Sequence, residues 1–222
     1  MSYIGANKIG KMYLGSTEIA KAYLGSDLVY KKQTALPYDA EVEFLQSSGT
    51  QWIDTGIVLQ ENDIVEIEAM FLKKSGDNYM MGSSRISEEG GTWIEVYNNS
   101  THYVRFGSSS SAYKSGSASA NMNVWRTYKM EKGKFYVDGV QKLTPDYASM
   151  PNRSLVIFGR NSATPNGGVV KIRSAKILRD GAPILDLSSV RVGSVGYMYD
   201  SVSGHLLGND GSDSFILGND KN

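Results

Sequence analysis

The chain has 222 residues, 23 Lys plus Arg against 23 Asp plus Glu, and no cysteine. The missing cysteine excludes disulfides, thiolate catalysis and cysteine-ligated zinc. The balanced charge argues against a dedicated nucleic-acid binder, and no run approaches the roughly 20 apolar residues of a membrane span. With 24 Gly and 14 Tyr but only 5 Pro, and short alternating runs in place of helical periodicity, an all-β chain rich in tight turns is predicted.

The first elements are three near-copies of a ten-residue unit, YIGANKIGKM, YLGSTEIAKA and YLGSDLVYKK, from Tyr3 to Lys32. Tyr3, Tyr13 and Tyr23 are in register, as are Gly5, Gly15 and Gly25, and Ile9, Ile19 and Val29. Gly and Ser supply turns, and the β-branched and aromatic residues suit strands, so residues 1–32 are predicted to form a β-meander. A segment this short cannot cover two half-apolar faces by itself, since chains below about 40 residues usually need help to fold. Two readings follow. In one, Ile9, Tyr13, Leu14, Ile19, Tyr23 and Leu24 are buried between chains in a homo-oligomer, most simply a trimer, or against a larger particle. In the other, the meander packs on the following domain. Lys8, Lys11, Lys21, Lys31 and Lys32 against Glu18 and Asp27 give the segment a net charge of +3 and leave −3 on the remainder, which favours an acidic partner surface.

Residues 33–38, with Pro37, read as a linker. From 39 to 222 the chain is strands and turns. In DIVEIEAMFL, Val65, Ile67, Ala69 and Phe71 share one face and Glu66 and Glu68 the other. KFYVDGVQKL is a hairpin with a type I′ signal at Asp138-Gly139, and ILRDGAPIL repeats the device at Asp180-Gly181. About ten to a dozen such strands without helices predict a β-sandwich.

WRTYKMEKGKFYVDGV (125–140), SLVIFGR (154–160) and VKIRSAKIL (170–178) occur in that order. Together they resemble the concanavalin A-like lectin/glucanase superfamily in its laminin-G-like branch, which runs a strand into a YVDG hairpin, then a strand ending in G-R, then a strand packing back across the sheet. FLQSSGTQWIDTG (44–56), GYMYDSVSG (196–204) and FILGND (215–220) are similar to a subgroup found in tailed-phage and prophage structural proteins. The resemblance spans residues 38–220. It implies a concanavalin A-like jelly-roll sandwich behind a short YLGS-type repeat.

Glycoside hydrolysis needs two carboxylates across a cleft, and enzymes of this superfamily commonly supply them as E-x-D-x-x-E. That motif is absent. Glu66/Glu68 and Glu41/Glu43 approach it, and read as solvated edge faces; a catalytic reading needs a third acidic residue and a sugar-stacking aromatic beside them. No G-x-S-x-G, Walker or G-x-G-x-x-G signature occurs. Asn209 to Asp213 (NDGSD) holds oxygen ligands suited to Ca²⁺ but lacks EF-hand spacing, so a turn is expected and no cofactor is assigned.

Sugar binding needs exposed aromatic faces and hydrogen-bonding groups. TWIEVYNNSTHYVR (92–105) carries both. Trp93, Glu95 and Tyr97 share a strand face, and Asn98, Asn99 and His102 are placed in the next turn; the competing reading puts Trp93 and Tyr97 in the core. Trp125 is assigned to the core. Arg160-Asn161 reads as a turn or salt-bridge element, or as a pair facing a ligand. The expectation from all of this is a non-enzymatic virion structural or adhesion protein, on a phage head or tail. Its N-terminal segment attaches or trimerises it, and its lectin-like outer domain meets a host-surface glycan. Its partners are then itself, other virion proteins and that glycan, and no nucleic acid or membrane. No apolar signal-peptide run opens the chain, in keeping with assembly in the bacterial cytoplasm. A stand-alone bacterial carbohydrate-binding module and a glycoside hydrolase are the alternatives.

Overall fold

Runs of β-branched and aromatic residues broken by Gly-Ser and Asp-Gly turns build this molecule from strands. In the computed structural model the described residues form strands and turns and no helix. The structure describes the chain except residues 1–2, 5–6, 9–12, 15, 20, 25–26, 32–35, 74–77, 85–90, 98–100, 109–113, 120, 162–165 and 222; for residues 3–4, 7–8, 13, 18, 23–24, 27–31, 96–97, 101, 108, 114–119 and 166 it describes the backbone alone. The chain divides into two compact units, Met1–Leu36 and Pro37–Asn222.

The first unit holds three antiparallel hairpins. Tyr3–Ile4 pairs with Asn7–Lys8, Tyr13–Leu14 with Thr17–Glu18, and Lys21–Leu24 with Asp27–Lys31. Each ten-residue repeat therefore places a chain reversal after its Tyr-Ile or Tyr-Leu pair. Among the described residues the hairpins are separate two-stranded sheets. Leu14 is 79% exposed and Ile19 is half-buried. The Tyr13, Tyr23 and Leu24 side chains and all of Ile9 lie outside the described part.

The main strands of the second unit are, in chain order, β1 (Ile53–Val58), β2 (Ile64–Phe71), β3 (Asn78–Ser84), β4 (Gly91–Tyr97), β5 (Thr101–Ser108), β6 (Lys114–Ser119), β7 (Arg126–Glu131), β8 (Lys134–Val137), β9 (Val140–Leu143), β10 (Ser154–Ile157), β11 (Val170–Arg179), β12 (Ala182–Val192) and β13 (Val195–Asp200). Six of them form a sheet in the order β6-β5-β4-β3-β10-β1. The others form an eleven-stranded sheet along β9-β8-β7-β2-β11-β12-β13 and Leu206–Leu207, with Ala40–Glu41, Leu45–Gln46 and Ile216–Leu217 attached beside that path. Neighbours in both sheets are antiparallel.

The core lies between the sheets. On β2, Val65, Ile67, Ala69 and Phe71 are at most 1% exposed, and Glu66 and Glu68 take the other face. Ile94, Val104, Phe106 and Ile157 of the six-stranded sheet join Ile67, Ile172, Leu187 and Met198 of the larger one in a single apolar cluster. Burying each such side chain stabilises the fold by about 1.5–3 kcal/mol. The predicted hairpin turns are present: Asp138 and Gly139 have φ of 51° and 75°, and Asp180 and Gly181 have 52° and 79°, the left-handed pair that a type I′ turn requires. The two ends of the unit are joined, since Val42 bridges Asp220 and Arg191 forks onto Asp220 through Nε at 2.7 Å and Nη2 at 2.6 Å.

Candidate ligand-binding surface

Period-two alternation sorts β4 cleanly. Ile94 belongs to the apolar cluster, which places Trp93 and Glu95 on the face turned away from it. The register then decides their neighbours. Trp93 lies opposite Gly82 of β3 on one side and Arg105 of β5 on the other; Glu95 lies opposite Tyr79 and Tyr103.

A fourth segment crosses this face. After β10 the chain kinks at Phe158, whose φ of 64° is unusual for a non-glycine residue. Asn161 N–H then donates to the Gly82 carbonyl at 3.0 Å, and Ser84 N–H to the Asn161 carbonyl at 2.9 Å. This lays Arg160 directly over Gly82. A Cβ at Gly82 would stand 2.8 Å from Arg160 Cγ and 3.0 Å from Trp93 Cβ, so the absent side chain is what lets the arginine lie flat. A Cβ at Gly91 would stand 2.3 Å from the Ser83 carbonyl oxygen and 2.9 Å from Trp93 Cζ3.

The result is a layered cluster. The Arg160 guanidinium stands 4.4 Å from the Tyr79 ring centroid and 5.0 Å from that of Trp93, and the Arg105 guanidinium 4.5 Å from Trp93. Tyr79 and Trp93 meet edge to face, 6.4 Å between centroids at 87°. Each cation–π contact is worth about 0.5–2 kcal/mol, more where water is excluded. Trp93 is 6% exposed and Glu95 likewise 6%. Trp93 is therefore no open stacking platform: its ring is buried, with two arginines over it, on the face opposite Ile94.

Other expected site residues separate from this cluster. His102 is corrected from a turn residue to a core one. It sits inside β5, 2% exposed, with Phe71, Tyr128 and Phe135 at 6.2, 5.5 and 5.7 Å between ring centroids. Tyr97 keeps its place on β4 with its side chain undescribed, and Asn98 lies outside the described residues. Trp125, assigned to the core, is instead half-buried and lies under Arg173 at 3.9 Å, with Phe44 6.0 Å away. Tyr79, Arg105 and Arg160 are the members that sequence reading did not bring together.

The outer face of the larger sheet carries a shallow depression of about 230 Å³ lined by Glu66, Glu68, Thr127, Ser174, Lys176 and Asp186. Asp186 is the third acidic residue there. Glu68 is held by Arg173 Nη1 at 2.6 Å and Asp186 by Lys176 Nζ at 3.0 Å. Glu41 and Glu43 instead contact the C-terminal segment, through Lys221 at 3.5 Å and Asn219 Nδ2 at 3.2 Å.

The NDGSD segment is a turn bound to residues 50–54. Asn209 Oδ1 accepts from Trp52 N–H at 3.1 Å, Asp210 Oδ2 from Asp54 N–H at 2.8 Å, and Asp213 Oδ2 from the Thr50 hydroxyl at 3.1 Å. Among the described residues no group of three or more His, Cys, Asp or Glu is arranged to hold a metal ion, and no helix is long and apolar enough to cross a membrane. Comparison with protein-family models and with curated protein sequences finds no match.

Proposed function

We propose that this chain is a non-enzymatic phage virion protein of structural or adhesion type, whose concanavalin A-like jelly-roll sandwich binds a surface glycan. On this reading residues 1–36 hold a homotrimer or attach it to other virion proteins. The observation that carries the binding half is the outer face of the six-stranded sheet, where Tyr79, Trp93, Arg105 and Arg160 stack into one aromatic–guanidinium surface beside the carboxylate of Glu95. On these buried rings the Arg160 guanidinium is held in one orientation, and its donors are what the surface offers to saccharide oxygens. The attachment half is supported by the hairpin repeat standing as its own compact unit, and by the 79% exposure of Leu14 within a single chain.

Two measurements test it. The mass of the full chain in solution should be that of a trimer, and removing residues 1–36 should leave a folded monomer. A monomeric full chain, or an unchanged oligomer after the deletion, overturns the attachment half. Screening the full chain against immobilised glycans tests the binding half, and retention on none of them overturns it.

A further inference from the structure

Four of the described arginines are held by carboxylates. Arg126, Arg173, Arg179 and Arg191 each donate to a carboxylate, of Asp138, Glu68, Asp63 and Asp220 respectively. Arg160 donates to none among the described residues, and its Nε is buried without a partner. Its guanidinium is nevertheless fixed, 4.4 Å from Tyr79 and 5.0 Å from Trp93. The kink at Phe158 and the missing side chain at Gly82 both serve to set it there. A guanidinium lying on aromatic rings keeps its planar fork of donors at its edge, already oriented, which is the geometry that meets a planar oxyanion with two parallel hydrogen bonds.

We propose that Arg160 is the anion-recognition residue of the saccharide surface, and that the glycan is acidic, with a carboxylate or another oxyanion carried on the sugar ring. This rests on the glycan-binding reading above and narrows its ligand class.

The test uses the full chain on immobilised polygalacturonate, dextran sulfate and neutral dextran, with Arg160→Gln and Arg160→Lys as variants. Thermal melting serves as the control for folding. Polygalacturonate should bind and dextran should not. Both variants should weaken binding by about tenfold or more, the scale of a lost charge-assisted pair, while a single cooperative melting transition, lowered by the lost ring contacts, shows that each variant still folds. Arg160→Lys is decisive because it keeps the charge and loses the fork. Binding to dextran sulfate with the same Arg160 dependence also supports the proposal and assigns the oxyanion to a sulfate ester. Equal binding to neutral dextran, or polygalacturonate binding that survives Arg160→Gln, overturns the proposal and leaves the glycan reading standing. Binding to none of these polymers overturns the proposal, while retention on other glycans alone keeps the broader reading.

Discussion

Each sheet lays an arginine on an aromatic ring of its outer face, and the two arginines differ in whether a carboxylate also holds them. On the six-stranded sheet Arg105 and Arg160 lie on aromatic rings, with Trp93 beneath both. On the larger sheet the cations lie against carboxylates of neighbouring strands, Arg173 on Glu68 and Lys176 on Asp186. Both faces come from the same alternation of buried and outward residues. On the larger sheet Arg173 also lies on a ring, 3.9 Å from that of Trp125, yet donates to Glu68, whereas Arg160 donates to no carboxylate among the described residues. Paired charges on an open sheet face screen one another and contribute little. A guanidinium on a ring keeps its hydrogen-bonding edge. The comparison thus predicts where stability is concentrated, and that Arg160 keeps donors for a ligand.

The largest test removes the ring. Trp93→Ala should cost about 3–5 kcal/mol, the range for truncating a buried aromatic side chain, read by urea unfolding. Trp93 is turned away from the core, so a loss near zero would show that the arginine cover does not protect it, and would erase the contrast between the faces. Next comes Gly91→Ala. Its new Cβ would stand 2.3 Å from a backbone oxygen, which cannot rotate aside as a side-chain tip can, so a loss of about 1–3 kcal/mol is expected. A neutral result would mean that β3 and β4 can slide apart without disturbing the cluster.

The larger sheet also buries a carboxylate at the end of β13. Asp200 is 4% exposed. Burial alone would raise its pKa, but donation from the Ser203 hydroxyl and from the N–H groups of Asp186, Val202 and Ser203 outweighs that and holds it below the usual carboxylate range. A carboxyl whose folded pKa is depressed contributes stability that is present above its unfolded pKa and lost as pH falls through the folded one. Asp200→Asn should therefore cost about 1–2 kcal/mol near pH 7, and the gap between variant and parent should close below about pH 4, near the unfolded aspartate value. A gap that persists undiminished at pH 2 would assign the effect to packing.

Much of the sandwich was legible because its determinants are local. The faces of β2 and the left-handed pairs at Asp138-Gly139 and Asp180-Gly181 need only period two and turn chemistry. His102 was legible too, by the same rule: it shares parity with Val104 and Phe106, which are core residues, and placing it in a turn overlooked that. The Trp93 cluster was not. Trp93 and Glu95 share a face by alternation, but Arg105, Tyr79 and Arg160 join them through strand order, and Arg160 comes from the segment after β10, which the sheet order places beside β3. The register of the repeat was plain, yet whether each unit extends one strand or folds back on itself depends on pairing that ten residues do not specify.

The smallest expected effect lies in the depression on the larger sheet. Glu68 and Arg173 are 38% and 36% exposed, so water screens their attraction, and Arg173 keeps its contact with Trp125 at 3.9 Å if the carboxylate is lost. Glu68→Gln should change stability by less than about 1 kcal/mol, within the range of exposed pairs. The same substitution probes chemistry. A retaining glycosidase needs one carboxylate free to attack the sugar and a second about 5–5.5 Å away to act as acid. Here Glu68 already accepts from Arg173 and Asp186 from Lys176, which leaves Glu66 without a second uncommitted carboxylate in the depression. A broad polysaccharide panel should accordingly release no reducing ends with the parent chain, with Glu66→Gln or with Glu68→Gln. Release by the parent that either change abolishes would turn this quiet face into an active site, and would reverse the assignment of ligand recognition to the six-stranded sheet.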